Sequence, residues 1–229
     1  MRESTREAPI RIGKVERDRK RRDRYHVYDE CDGDKPLLNV HENILIRYNL
    51  FKGELLTLEA IQDIREAEDG QHAYSLALTY LTAKPRTRAE LTSYLLRKDI
   101  STEKAEQVCE RLEQERAIDD ADYARRFAEQ RLRLRAKGRL AIREELRRRG
   151  IDREQTADAL SELDPEQELE AAVRAGGKKW LHLKGERLER RRKLMMFLAR
   201  RGFPGDIVRS ASARIEDEQA GSGDEEEMD

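Results

Sequence analysis

Residues 138–163 read GRLAIREELRRRGIDREQTADALSEL. Ile142, Leu146, Ile151, Ala159 and Leu163 mark the apolar side of two short helices separated at Gly150. The same apolar register stands 51 positions earlier, in TRAELTSYLLRKDISTEKAEQVCERL (87–112), as Leu91, Leu95, Ile100, Val108 and Leu112. It returns 52 positions later, in RRRKLMMFLARRGFPGDIVRSASARI (190–215), as Leu194, Leu198, Phe203, Ala211 and Ile215. Five apolar positions held in register through three segments mark an internal duplication.

Helix starts fall where such a duplication needs them. Thr87 with Glu90, Asp119 with Asp122 and Asp152 with Gln155 supply a side-chain acceptor at the N-cap and a polar residue three positions on. Asp164-Pro165 and Phe203-Pro204 put proline in a first turn, and Gly138, Gly150 and Gly202 punctuate the connections. Each unit therefore reads as three helices. About 50 residues cannot bury enough apolar surface alone, so neighbouring units are expected to stack into an elongated, curved rod.

Ahead of the units, residues 9–40 read as a small β region. Ile10–Val15 and Tyr25–Tyr28 alternate in β-favouring types, Pro36–Val40 adds a third strand, and the basic run Arg17–Arg24 lies at the turn between the first two. Helices at roughly 42–48 and 57–68 are expected to cover this region. The expected divisions are 1–69 for the β extension, 70–118, 119–164 and 165–215 for the repeats, and 216–229 for a disordered acidic tail. The fold class is mainly α.

Charged residues make up 41% of the 229, which suits solvated helices with narrow apolar stripes. A net charge of −1 conceals segregation: the last 14 residues hold eight acids and no base, leaving +7 on the rest. Residues 125–153 carry twelve Arg and Lys against four Asp and Glu, and residues 178–201 ten against two. A polyanionic partner is expected on that part. No apolar run approaches the roughly 18 residues of a membrane span, and residues 1–8 lack the apolar core of a signal peptide.

Catalytic chemistry finds little support. Cys31 and Cys109 stand far apart, and His26, His41, His72 and His182 show no metal-ligand spacing, so reduced thiols and surface or packing histidines are the plainer readings. Gly176-Gly177-Lys178-Lys179 lacks the strand, spacing and hydroxyl residue of a phosphate loop. Asp119, Asp120 and Asp122 are better explained as helix-start acids than as a carboxylate centre. No enzyme, metal or cofactor is expected.

Binding residues are easier to nominate. Arg139, Arg143 and Arg147, four apart, form one helical stripe that the other two units do not repeat, so partner contact is favoured over a structural need shared by all three. Arg131 and Arg135 precede it. Lys178, Lys179 and the cluster Arg190, Arg191, Arg192 and Lys193 suit phosphates or an acidic protein surface, though a merely solvated face accounts for them equally well. Trp180 reads as a packing anchor rather than a base-stacking platform.

Taken in order, Arg86-Thr87-x-x-Glu90-Leu91, Lys98-x-Ile100, Ile118-Asp119-Asp120-x-x-Tyr123-Ala124, Arg131, Gly138, Ile142-x-x-Glu145-Leu146 and Gly150-Ile151 resemble the RecX family. The resemblance covers about residues 70–215, and residues 9–64 look like the extension of its longer Gram-positive members. Asp99, where the family usually has Gly, and Ala117, where it commonly has Leu, depart from the pattern. The resemblance implies a cytoplasmic monomer that binds the RecA nucleoprotein filament across adjacent subunits and modulates, usually inhibits, its assembly, ATP hydrolysis and strand exchange in recombination, DNA repair and the SOS response. Single- and double-stranded DNA are further partners; a membrane is not. The rival reading is a general DNA-binding repeat module that needs no recombinase.

Overall fold

A computed structural model describes residues 8–224, with side chains through Glu218. The expectations on residues 1–7 and 225–229 lie outside the described residues. Backbone contacts divide the chain into two bodies, one of residues 1–84 and 92–111, the other of residues 85–91 and 112–229.

The first body opens with β1 (Ile10–Arg17), β2 (Arg24–Asp29) and β3 (Pro36–His41), all antiparallel, in a sheet of order β3-β2-β1-β4. The fourth strand, β4 (Leu55–Leu56), pairs with Ile10 and Arg11 and escaped the sequence reading because two residues carry no periodicity. Helix α1 (Glu42–Arg47) is capped by the His41 ring, whose nitrogen accepts from the Asn43 amide. Ile12, Val27, Leu38, Val40, Ile44, Leu50 and Ile64 form the core of this region.

Helix α2 (Leu58–Ala83) starts at Thr57, whose hydroxyl accepts from the Ala60 amide, and runs for 26 residues. Its first half packs Ile61 and Ile64 against the sheet; its second half carries Tyr80, stacked on Tyr94 at 4.0 Å, and Tyr74, which lies under Arg111 at 3.8 Å. The expected boundary at 69/70 falls inside this helix. Gly70 invites a break, but a helical glycine costs only about 1 kcal/mol against alanine and packing on both flanks outweighs it.

The repeats follow. α2 is completed as a three-helix unit by α3 (Arg88–Leu96) and α4 (Thr102–Gln114). The second unit is α5 (Asp120–Arg135), α6 (Arg139–Arg148) and α7 (Arg153–Ser161); the third is α8 (Pro165–Trp180), α9 (Arg187–Arg200) and α10 (Gly205–Asp224). This is the expected mainly helical fold. Of the fifteen register positions, all but Ile100 are buried, and those of the second and third units share one core with Phe127, Leu132 and Trp180. Asp119 and Asp152 cap their helices through backbone amides, as expected; Pro165 lies in the first turn of α8, and Asp164 caps that helix. Pro204 sits just before α10 rather than within its first turn.

At the other end the composition misled. α10 does not stop at Ile215: it continues through Asp224, so residues 216–224 of the expected disordered tail are helical. Glu216, one position past the register, is only 7% exposed and pairs with Arg187 and Arg191, while Glu and Asp spaced along a helix whose preceding turns are already packed add little to the cost of prolonging it.

Candidate partner-binding surface

The second body joins its units by a repeated device. Helix α3 begins at Thr87, whose hydroxyl accepts from the Glu90 amide at 3.1 Å and donates to the Arg149 carbonyl at 2.7 Å. Arg149 in turn reaches Glu90 at 2.6 Å and lies over Phe127 at 5.0 Å. The next turn is Gly150, at φ +80°, where an added Cβ would come within 2.2 Å of the Ala89 Cβ. One unit later the same contact recurs: the Gly138 and Leu140 amides at the start of α6 donate to the carbonyls of Arg201 and Gly202, both at 2.9 Å. Gly202 has φ +84° and leaves its Cβ position 2.2 Å from the Ala141 nitrogen. Within the second body the turn after α6 is thus seated on the start of α3, and the turn after α9 on the start of α6.

Carboxylates complete both junctions. The amide of Arg88, first residue of α3, donates to Asp120 at 2.9 Å, and that of Arg139, first residue of α6, to Glu168 at 2.8 Å. Glu168 is fully buried and also accepts from the Arg139 guanidinium at 2.6 Å. Burial holds the Asp120 carboxyl above the ordinary carboxylate range, against the Arg88 amide that lowers it. Acidic groups at these helix starts satisfy free N–H groups and oppose the dipole, but they come from the following unit. Thr87 and Asp119 were legible as caps; Asp120 and Glu168 were not, since their partners lie 32 and 29 residues away.

This frame sorts the nominated cations. Arg131 is half-buried, paired with Glu145 at 2.8 Å and set over Phe127. Arg139 is tied to Glu168, and Arg190 lies 4.1 Å over the Trp180 ring with its guanidinium on the Trp180 carbonyl. Trp180 itself is 4% exposed, a packing anchor as expected. Arg191 faces Glu216 at 3.4 Å and Lys193 pairs with Glu189 at 2.6 Å. Lys179 is half-buried near the Phe197 ring. Arg147 grips Glu144 through two nitrogens at 2.8 and 2.9 Å; hydrogen bonds from Arg147 and Arg148 hold that exposed carboxyl at about 2.

Arg135, Arg143, Lys178 and Arg192 remain, all exposed and, among the described residues, without a carboxylate at ion-pair distance. The expected stripe is therefore not uniform: Arg139 faces the junction, Arg147 shares its charge with Glu144, and Arg143 alone projects unpaired. Among the described residues no group of three His, Cys, Asp or Glu could hold a metal ion, and no helix is long and apolar enough to cross a membrane. Cys31 is exposed and Cys109 buried, neither in a disulfide.

With this geometry in hand, the relatives are informative. Three family models match: the first three-helix domain of RecX over residues 73–112, the second over 119–160 and the third over 166–211. A regulatory protein RecX of Lacticaseibacillus paracasei is 30% identical over 198 residues, covering 86% of this chain and 81% of that one. One from Bacillus cytotoxicus is 28% identical over 219 residues, covering 95% and 81%. A crystal structure of regulatory protein RecX superposes with a TM-score of 0.74 at 29% identity, over 86% of this chain and 96% of that one. A crystal structure of RecX from Lactobacillus salivarius gives 0.62 at 25% identity, over 66% and 98%.

Proposed function

Because the chain belongs to the RecX family of regulatory proteins, we propose that it binds the RecA nucleoprotein filament and modulates its assembly, ATPase and strand exchange, in the direction of inhibition. The observation that supports this reading is the division of labour among the cations. Arg139 ties the second repeat to the third and Arg131 and Arg190 are engaged inside their own repeats, whereas Arg135, Arg143, Lys178 and Arg192 lie outward on the second and third units. Unpaired guanidinium and ammonium groups on a frame set by packing suit a partner rich in carboxylate and phosphate, and lose little side-chain pairing on binding. A ligand that engages several filament subunits at once favours one filament state over others and hinders its extension.

The test is the single-stranded-DNA-dependent ATPase of a RecA recombinase titrated with the full chain, beside an Arg143→Glu/Lys178→Glu/Arg192→Glu variant. Arg139 is left in place, since its loss would unfasten the junction at Glu168. The expected outcome is a fall in rate at substoichiometric protein, lost in the variant. No effect on ATPase, with binding to naked DNA retained, would favour the repeat-module reading in which the helices contact DNA without a recombinase.

A further inference from the structure

The basic run between β1 and β2 takes no part in the repeats. We propose that this hairpin tip, residues 17–24, is a binding site for the phosphate backbone of nucleic acid, engaged without regard to base sequence. The run reads RDRKRRDR, six cations and two acids. Among the described residues neither acid forms an ion pair with a cationic side chain of the run. One oxygen of Asp18 accepts from the amides of Lys20 at 2.7 Å and Arg21 at 3.0 Å, and the other lies 3.1 Å from His26 Nε2. Asp23 lies 3.5 Å from the His41 ring. Arg24 is withdrawn too, half-buried against Glu68 at 2.8 Å and Asn39 at 2.9 Å. What remains is Arg19, Lys20, Arg21 and Arg22, consecutive along the chain, all exposed and, among the described residues, without an ion pair.

The tip is also pre-formed. The Asp18 amide donates to the Arg24 carbonyl at 2.8 Å, the Arg24 amide to the Arg21 carbonyl at 3.2 Å, and the Arg17 guanidinium to the Arg22 carbonyl. Its base is fastened to α1 through the Glu42 amide on the Asp23 carbonyl at 2.8 Å. Backbone that is already ordered gives up little freedom when it meets a ligand. The absence of any apolar side chain between Arg17 and Arg24 decides the class of ligand. A protein interface is anchored by buried aromatic and aliphatic groups, and stable attachment to a membrane needs a second, apolar signal beside a polybasic one. Phosphate contacts by themselves carry sequence-independent binding to nucleic acid, and a two-stranded ribbon is narrow enough to enter a major groove.

The site stands apart from the recombinase reading, and its test omits recombinase. Full-length protein is titrated by fluorescence anisotropy into a labelled duplex at salt between about 50 and 200 mM, beside an Arg19→Ser/Lys20→Ser/Arg21→Ser/Arg22→Ser variant that leaves Asp18, Arg24 and His26 untouched. Circular dichroism and the unfolding midpoint are expected to be unchanged. Each lost duplex contact makes the slope of log affinity against log salt shallower by about 0.9, so a reduction of about 2 to 4 is expected, with at least tenfold weaker binding at low salt. Any of three results overturns the proposal: an unaltered slope in the variant, an original chain that binds no duplex at about 50 mM salt, or lost binding to phosphatidylserine vesicles with the duplex slope intact. A slope that falls only when Arg143, Lys178 and Arg192 are replaced by Ser assigns the contact to the helical units instead.

Discussion

Glu168 is the residue on which most depends. It is fully buried, yet its charge is answered twice, by the Arg139 amide and the Arg139 guanidinium. Removing one member of a fully buried pair costs about 3–5 kcal/mol; since the Arg139 side chain keeps 30% exposure, Glu168→Ala is expected to cost about 2–3 kcal/mol in urea unfolding. Asp18 governs a pH response. Hydrogen bonds from the Lys20 and Arg21 amides hold its carboxyl below the ordinary 3.8, so its contribution is present above that value and disappears as pH falls through the lowered one. Asp18→Asn should therefore narrow the stability gap from the original protein as pH is taken from about 5 towards 2, read as the difference in thermal midpoint. Local caps such as Thr87, Asp119 and Asp152 were legible because acceptor and amide lie three residues apart. Glu168 was invisible for the opposite reason: nothing in its neighbourhood marks it from the exposed Glu166 and Glu170, and only the stacking of the next unit brings Arg139 to it.

At the scale of elements, the glycines separate two uses of one residue. Gly150 lies at φ +80° with no room beside Ala89, so Gly150→Ala forces an unfavourable backbone region and an overlap; a loss of about 2 kcal/mol or more is expected by thermal or urea unfolding. Gly70, inside α2, has nothing within 4 Å of its Cβ position, and Gly70→Ala should gain about 0.5–1 kcal/mol in the same assay. Equal costs at the two sites would refute the docking role given to the Gly150 turn. The repeat helices were legible because the apolar register repeats and starts such as Thr87, Asp119 and Asp152 carry their own acceptors. β4 is too short to show alternation, and the continuity of α2 is hidden because a breaker residue counts for less than packing along both halves of the helix. The candidate surface was half legible: composition and spacing pointed to the basic helices, but which arginines are tied down depends on partners up to 66 residues away, as when Arg201 donates to the Arg135 carbonyl.

At the scale of the whole molecule, the third unit departs from the other two at the place where a fourth would attach. Arg88 and Arg139 meet carboxylates from the first helix of the following unit; Arg191, which holds the same position, meets Glu216 from α10 of its own unit, joined by Arg187. α9 also begins one turn earlier than the register asks, so the Arg190 amide bonds inside the helix, to the Glu186 carbonyl, where its counterpart Gly138 receives the next unit's turn. Glu216→Arg would set a third guanidinium beside two and is expected to lower the thermal midpoint by about 5–10 °C, partly restored by salt; an unchanged midpoint would deny Glu216 this role. The third unit thus has the character of a capping repeat: the groups that receive a neighbour at the other two junctions are taken up there by its own α9 and α10.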